Sequence, residues 1–264
     1  MEKKEFVLVT HDGLPHTDDI SCIAVLSILL EEKGHSWKLI RTRDEQVLES
    51  YKNNPNAIIF DIGGGDLDHH YDKNYGGRQY SAIGKVWLKY KDEIKSAFML
   101  DEISWSEIDT NLIAHIDNTD NTGVMNPFNY AFNTVRASYG STTDEAIRTC
   151  VEYLKFVWRS VLVAESQKTA DRIEFEKLPI IELEGKKFKF NANASRFIPI
   201  SKCEEGIVGY IFATQKGTFS VREVVPGILK KGMTKDESLG VIFTHKTGFI
   251  GEVKSLDCVK NILA

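Results

Sequence analysis

Cysteine is sparse: Cys22, Cys150, Cys203 and Cys258 form no CxxC pair. That excludes zinc-finger spacing, and a chain of this length needs no disulfide framework, so free thiols in a reducing compartment are expected. Basic charge is also in short supply: 33 Lys and Arg stand against 38 Asp and Glu, giving a formal net charge of −5. A broad basic face for gripping duplex nucleic acid is therefore not expected. A short nucleic-acid substrate stays open, because bound divalent cations reverse the sign of a local site. Long apolar runs are missing, and the longest, residues 23–30, is too short to span a bilayer. The opening MEKKEFVLVTHDG passes from charge straight into a strand, without the apolar core of a signal peptide. The expectation is a cytoplasmic protein with no membrane contact. Neither an internal repeat nor a low-complexity segment occurs.

What is there reads as an α/β chain. Residues 6–10 (FVLVT) form a short apolar run, as expected of a strand buried on both faces. Residues 20–32 carry apolar residues at helical spacing, and Asp18 and Asp19 suit the helix start. Residues 37–41 and 57–61 read as further strands, with a short helix over 45–53 between them. Helices are expected over 81–90 and in two segments between 93 and 119. Such alternation predicts a parallel sheet with helices on both faces, in a domain spanning 1–140. Residues 141–177 predict one long connecting helix, with Thr142 and Glu145 as a capping box. Residues 178–264 change character. Strands over 180–183, 187–190, 206–214, 218–225 and 241–244, then a helix over 255–263, predict a smaller α+β domain. Trp87, Phe197 and Tyr210 are expected in the cores rather than as platforms for bases.

The chemistry concentrates at strand ends. Five of the 7 histidines, His11, His16, His69, His70 and His115, lie in polar segments near aspartates. Clusters occur at His11 to Asp18, at Asp61, at Asp68-His69-His70 and at His115 to Asp120. In a parallel sheet the strand C-termini share one edge, where ligands bind, so these clusters can meet in one crevice. Mixed carboxylate and imidazole donors suit Mn²⁺, Fe²⁺, Co²⁺ or Zn²⁺, whereas an all-oxygen shell suits Mg²⁺ or Ca²⁺. Each element also has a plain structural reading. Asp61 alone can be a turn residue, His115 a structural histidine, and Asp12 and Asp19 solvated or capping groups.

The motif Asp68-His69-His70 resembles the DHH phosphoesterase superfamily. Around it, THDGLPHTDD (10–19), RTRD (41–44), FDIGG (60–64), SAIGKVW (81–87), IDNTDN (116–121) and HKTGFIG (245–251) together resemble the melanocyte-proliferating-gene (Myg) exonuclease family, a UPF0160-like group. The superfamily's GGGH signature of the second domain is absent, although Gly63-Gly64-Gly65 stands in the first.

The resemblance implies a DHH-type catalytic domain holding two divalent metal ions, Mn²⁺ first, with Mg²⁺, Co²⁺ or Fe²⁺ as alternatives. His11 and His16 would hold one ion, and Asp18, His69 and Asp117 the other. Asp61 would bridge both, and Asp120 competes with Asp117 for its place. His70 would face the substrate phosphate as a donor or proton carrier, with Asp68 orienting His69. Arg41 in the first domain and Arg222, His245, Gly248 and Gly251 in the second are the expected substrate contacts, because guanidinium matches phosphate and glycine admits close backbone approach. The alternative for His245 and its glycines is a plain turn capped by histidine. The implied activity is 3′–5′ exonuclease hydrolysis of RNA or short oligonucleotides by a two-metal mechanism. Two rival readings are a hydrolase of a small phosphate compound (cyclic dinucleotide, nucleotide or pyrophosphate) and a non-catalytic metal-bound interaction protein.

Overall fold

The computed structural model describes residues 2–71, 77–193 and 206–264. Phe197 and Cys203 lie outside the described residues. Two compact units result, Met1–Thr169 and Ala170–Ala264.

The first unit is built on a three-stranded parallel sheet in the order β2-β1-β3, from β1 (Glu5–Thr10), β2 (Ser36–Arg41) and β3 (Ala57–Ile59). Alternation along β1 separates two cores. Leu8 joins the large cluster with α1 (Thr17–Glu32), whereas Val7 and Val9 pack with Leu48 of α2 (Glu45–Lys52). Both faces of the strand are thus apolar, which is why FVLVT shows no period-2 pattern. β3 is shorter than the sequence suggests. Asp61 adopts φ of +58°, and extended backbone cannot continue through that conformation.

Helices α3 (Ala82–Lys89), α4 (Lys91–Phe98), α5 (Glu102–Ile108) and α6 (Ala114–Thr122) follow, with a π-helical turn at Asp109–Ile113 between the last two. Helix α7 (Pro127–Ser138) is not among the expected elements, yet its start is legible. Asn126 accepts a hydrogen bond from the Asn129 amide at 3.0 Å, and Pro127 occupies the first turn, where a missing N–H costs nothing. Helix α8 (Asp144–Glu176) is the long helix, 33 residues. Thr143 rather than Thr142 caps it, its hydroxyl accepting from the Ala146 amide at 3.1 Å. The boundary between the two units falls inside α8.

The centre of the first core is aromatic. Trp87 of α3 stacks on Trp105 of α5 at 3.9 Å between centroids, and Trp158 of α8 tilts against it at 5.9 Å. Trp87 and Trp158 are both fully buried.

The second unit carries a six-stranded mixed sheet in the order β4-β5-β6-β7-β9-β8. Its strands are β4 (Ile180–Leu183), β5 (Lys186–Asn191), β6 (Ile207–Ala213), β7 (Phe219–Glu223), β8 (Val241–Thr244) and β9 (Ile250–Val253). β5 and β6 run parallel and the remaining neighbours antiparallel. β9 is a strand where the sequence suggests part of a glycine-containing turn. The expected final helix is a 3-10 helix, Leu256–Ile262. Among the described residues no helix is long and apolar enough to cross a membrane.

Trp87→Ala should destabilise the protein by about 3–5 kcal/mol in chemical denaturation, because it empties the middle of a three-helix aromatic stack. A loss under about 1 kcal/mol would show that neighbouring side chains close the space.

Candidate metal centre

Four chain segments deliver the centre, three of them grouped about the parallel sheet and the start of α1, the fourth helix α6. The first is the end of β1. His11 follows Thr10 directly and is buried. Its Nδ1–H donates to the Asp12 carbonyl at 2.7 Å, and its Nε2 faces Asp61 Oδ2 at 3.2 Å and Asp19 Oδ2 at 3.5 Å, a hydrogen-bond donor to them when the ring is a cation and a lone pair for a metal ion when it is neutral.

The second segment is the start of α1. His16 is its N-cap residue, and Asp18 and Asp19 lie in the first turn, where the helix dipole favours negative charge. Asp19 Oδ1 accepts from the His16 and Ile20 amides at 2.8 and 2.7 Å. The sequence suggests a solvated or capping group here; Asp19 caps, and it also touches His11 and Arg41 while fully buried. The signal for this is the acid three residues after the cap position. The rings of His11 and His16 lie 5.5 Å apart.

The third segment runs from β3 to His70. Asp61, buried and left-handed, presents Oδ1 to His69 Nε2 at 3.2 Å. His69 Nε2 also reaches Asp120 Oδ2 at 3.3 Å and Asp18 Oδ2 at 3.9 Å. Asp68 does not orient His69, contrary to the expectation from the sequence. Its Oδ1 holds His70 Nδ1 at 2.8 Å and its Oδ2 accepts from the Gly64 amide at 2.8 Å. The His70 side chain is 56% exposed, at the open side of the cluster.

Helix α6 offers two aspartates, and they part ways. Asp117 Oδ1 accepts from the Ser81 amide and hydroxyl at 3.0 and 2.8 Å. Its Oδ2 takes Arg78 Nε and Nη2 at 2.9 and 2.8 Å. Gly84 makes room for it, since a Cβ there would sit 2.6 Å from Asp117 Oδ1. Asp117 therefore clamps α6 to the start of α3, while Asp120 faces His69. Among the described residues, two donor sets lie close enough to hold an ion: Asp61, His69 and His70, and His16, Asp18 and Asp120. His115 is exposed and stands outside both.

Arg41 comes to the same edge. Its Nη1 donates to the Gly13 carbonyl at 3.2 Å and its Nη2 lies 3.5 Å from Asp19 Oδ2. The other expected substrate contacts belong to the second unit. There Arg222 of β7 lies over the Phe249 ring at 5.9 Å, and His245 meets the same ring at 4.6 Å. Gly248 has φ of +86° in the turn between β8 and β9, with the His245 ring accepting from the Thr247 amide beside it. At Gly251 a Cβ would crowd Ile262 at 2.9 Å and Thr244 at 3.1 Å, so tight packing favours glycine there.

The electrostatics of the centre demand cations. Both oxygens of Asp18 are buried without a hydrogen bond of good geometry among the described residues, although the Asp19 amide and the Asp120 carboxyl adjoin them. Burial pushes this carboxyl well above its usual range, and Asp61, Asp120 and Asp19 push the same way. Burial raises Asp19 to about 7, against the opposing pull of His11 and Arg41. Burial would raise Asp61 as well, but hydrogen bonds from His11 and His69 prevail and hold it at about 2. His11 and His69 are disfavoured as cations by burial, yet Asp61 raises both. His16 is lowered by burial and by His11. A divalent ion replaces the protons such a cluster otherwise retains, so the donor set fits metal.

The sign of the pH dependence follows. Asp18, Asp19, His11 and His69 all have raised values in the folded chain. The folded state then binds more protons than the unfolded one, so metal-free stability should fall as pH rises from about 4 through about 7. Ligands must lose protons to bind metal, so stabilisation by added Mn²⁺ should grow over the same window. Thermal melts with EDTA and with Mn²⁺ between about pH 5 and 8 measure both. A Mn²⁺ effect that does not vary with pH would place the ion elsewhere.

No curated protein matches the chain. Among solved structures it is similar to the crystal structure of RecJ in complex with Mn²⁺ from Thermus thermophilus, at 9% identity and a TM-score of 0.30, covering 95% of this chain and 49% of that one. The chain thus spans about half the length of that protein. The family model MYG1_exonuc, described as an uncharacterised protein family (UPF0160), matches residues 7–201, and the chain belongs to that family.

Proposed function

We propose that this protein is a metal-dependent phosphodiesterase, a 3′–5′ exonuclease acting on RNA or short oligonucleotides. The observation that carries the reading is the buried Asp18, whose oxygens lie among His16, Asp120 and His69 without a hydrogen bond of good geometry among the described residues. The family's name points to an exonuclease. His16, Asp18, Asp61, His69 and Asp120, joined by His11 at 3.2 Å from Asp61, would hold two divalent cations, with Asp61 shared between them and His70, the third donor of its set, left to the substrate; Mn²⁺ is one of the ions that suit such mixed donors. When bound, the ions would supply Lewis acidity and an activated water for attack on phosphorus.

The protein groups have separate tasks. Nδ1 of His11 is tied to a carbonyl, so the ring cannot turn its other nitrogen away. His70 is held by Asp68 and exposed, and so can donate to a non-bridging phosphate oxygen. Asp117, with both oxygens engaged, takes the positioning role and leaves the ligand place to Asp120. Arg41 braces the loop after β1. In the second unit, Arg222, His245 and the exposed Phe249 supply a cation and an aromatic face for a nucleotide, with Gly248 and Gly251 shaping the turn and strand beside them.

Purified protein with Mn²⁺ should hydrolyse labelled RNA in a panel that also holds DNA, cyclic dinucleotides, nucleotides and pyrophosphate. Turnover of only a small phosphate compound would replace the exonuclease reading, and turnover of none would end it. Asp61→Asn should lower both metal content and activity, the latter by more than about 10²-fold. Retention of both would remove Asp61 from the centre. Asp120→Asn should lose metal, whereas Asp117→Asn should keep metal and lose about 1–3 kcal/mol of stability, because Arg78 loses its charged acceptor while Ser81 keeps an amide oxygen. The reverse pattern would return the ligand place to Asp117.

A further inference from the structure

Helix α7 has no part in the six-donor centre, yet one of its faces is turned to it. Asn129, Asn133 and Arg136 stand at i, i+4 and i+7, so they share that face. Together with His16, Asp18 and Asp120 they line a cavity of about 310 Å³. Its wall is part metal donors and part amides with one guanidinium, completed by Leu14, Thr17, Ile116 and Thr119.

Two groups in this wall have complementary needs. Asn129 is 4% exposed, and its Oδ1, an acceptor, meets no donor among the described residues. Nε–H of Arg136, a donor, is buried and meets no acceptor among them. Arg136 forms no ion pair among the described residues, although it borders a cluster of carboxylates. It is held in place nonetheless: Nη1 donates to the Pro15 carbonyl at 2.6 Å, and the guanidinium lies over the Phe132 ring at 5.9 Å. A fixed guanidinium with a spare N–H suits a phosphate oxygen. A buried amide oxygen suits a hydroxyl. A sugar carrying a phosphate offers both at this size.

We propose that this cavity is the subsite for a single nucleotide unit, with its phosphate on Arg136 and a ribose hydroxyl on Asn129. The inference rests on the phosphodiesterase reading and adds to it the residues that hold the released or terminal nucleotide. The volume is of the order of a single nucleotide unit. Metal ions on Asp18 and Asp120 would cancel the charge that otherwise repels a phosphate from this wall.

The test is titration of the full-length, Mn²⁺-loaded protein with adenosine 5′-monophosphate by calorimetry, with metal content measured in parallel. Arg136→Gln and Asn129→Ala should each weaken AMP binding at least tenfold while retaining the wild-type metal content. Arg136→Lys should recover part of the loss. On a labelled dinucleotide, both weakening variants should raise KM more than they lower kcat. If Arg136 only braces the loop at Pro15, Arg136→Gln will lose metal or thermal stability, and Asn129→Ala will bind AMP as the wild type does. That result overturns the proposal, as does a wild-type protein with no saturable AMP binding. The titration needs no turnover. A metal-loaded protein that binds AMP through these residues but cleaves nothing in the panel would sink the phosphodiesterase reading alone.

Discussion

Carboxylates with almost no access to water must share one small volume with imidazoles, and the first unit is arranged around that demand. Asp18, Asp19 and Asp61 are buried, Asp120 adjoins them, and His11 and His69 reach between them. Like charges this close cannot all be ionised in a dry site without cations. The fold meets part of the demand itself. Asp19 takes two amide hydrogens at the start of α1, and Asp61 takes contacts from two histidines. The Asp18 oxygens have no such hydrogen bond of good geometry among the described residues, so their place in the molecule makes sense only when positive charge is supplied from outside.

The scaffold that enforces this crowding is ordinary. β1 and β3 run parallel, so their C-termini open on one edge, and α1 starts its first turn there. The turn after β3 is a place where the backbone is visibly constrained. Asp61 is left-handed, and Gly63 and Gly64 follow with positive φ. This conformation ends the strand and returns the chain so that the Asp61 amide can bond the Leu67 carbonyl at 3.0 Å. It is also what aims the Asp61 carboxylate at both histidines. Sparsely populated backbone at such a point is a common companion of function.

Outside the centre, the same economy of contacts joins distant segments. Arg78 links Asp109 and Asp117, tying the π-helical turn to the start of α6. Arg136 ties α7 to the loop carrying His16. Arg41 ties β2 to the same loop and to Asp19. Arg78 and Arg41 thus help set the position of the segments that carry the acids, through carbonyls or carboxylates that do not face the His69 nitrogen, while Arg136 adds one contact at the Pro15 carbonyl.

The sequence by itself determined a good deal. Buried strands show as unbroken apolar runs, and strand direction follows from βαβ alternation, so His11, Asp61 and His69 could be placed on one edge without coordinates. Two elements show the limit. Helix α7 has an Asn-Pro start that is legible only once the cap is recognised, and β9 is hidden because Gly251 is a strand residue set by its contact with Ile262. Which aspartate of α6 faces the centre was open for a plainer reason. Residues three apart on a helix point only about 60° from each other, so rotation of the helix decides between them. That rotation depends on the burial of Ile113 and Ile116 and on the close approach at Gly84, which are facts of packing between segments far apart in sequence. The tertiary structure alone turned Asp117 toward Arg78, Asp120 toward His69 and Arg136 toward the cavity, because local sequence sets which residues share a helix face, and only the neighbouring elements set where that face points.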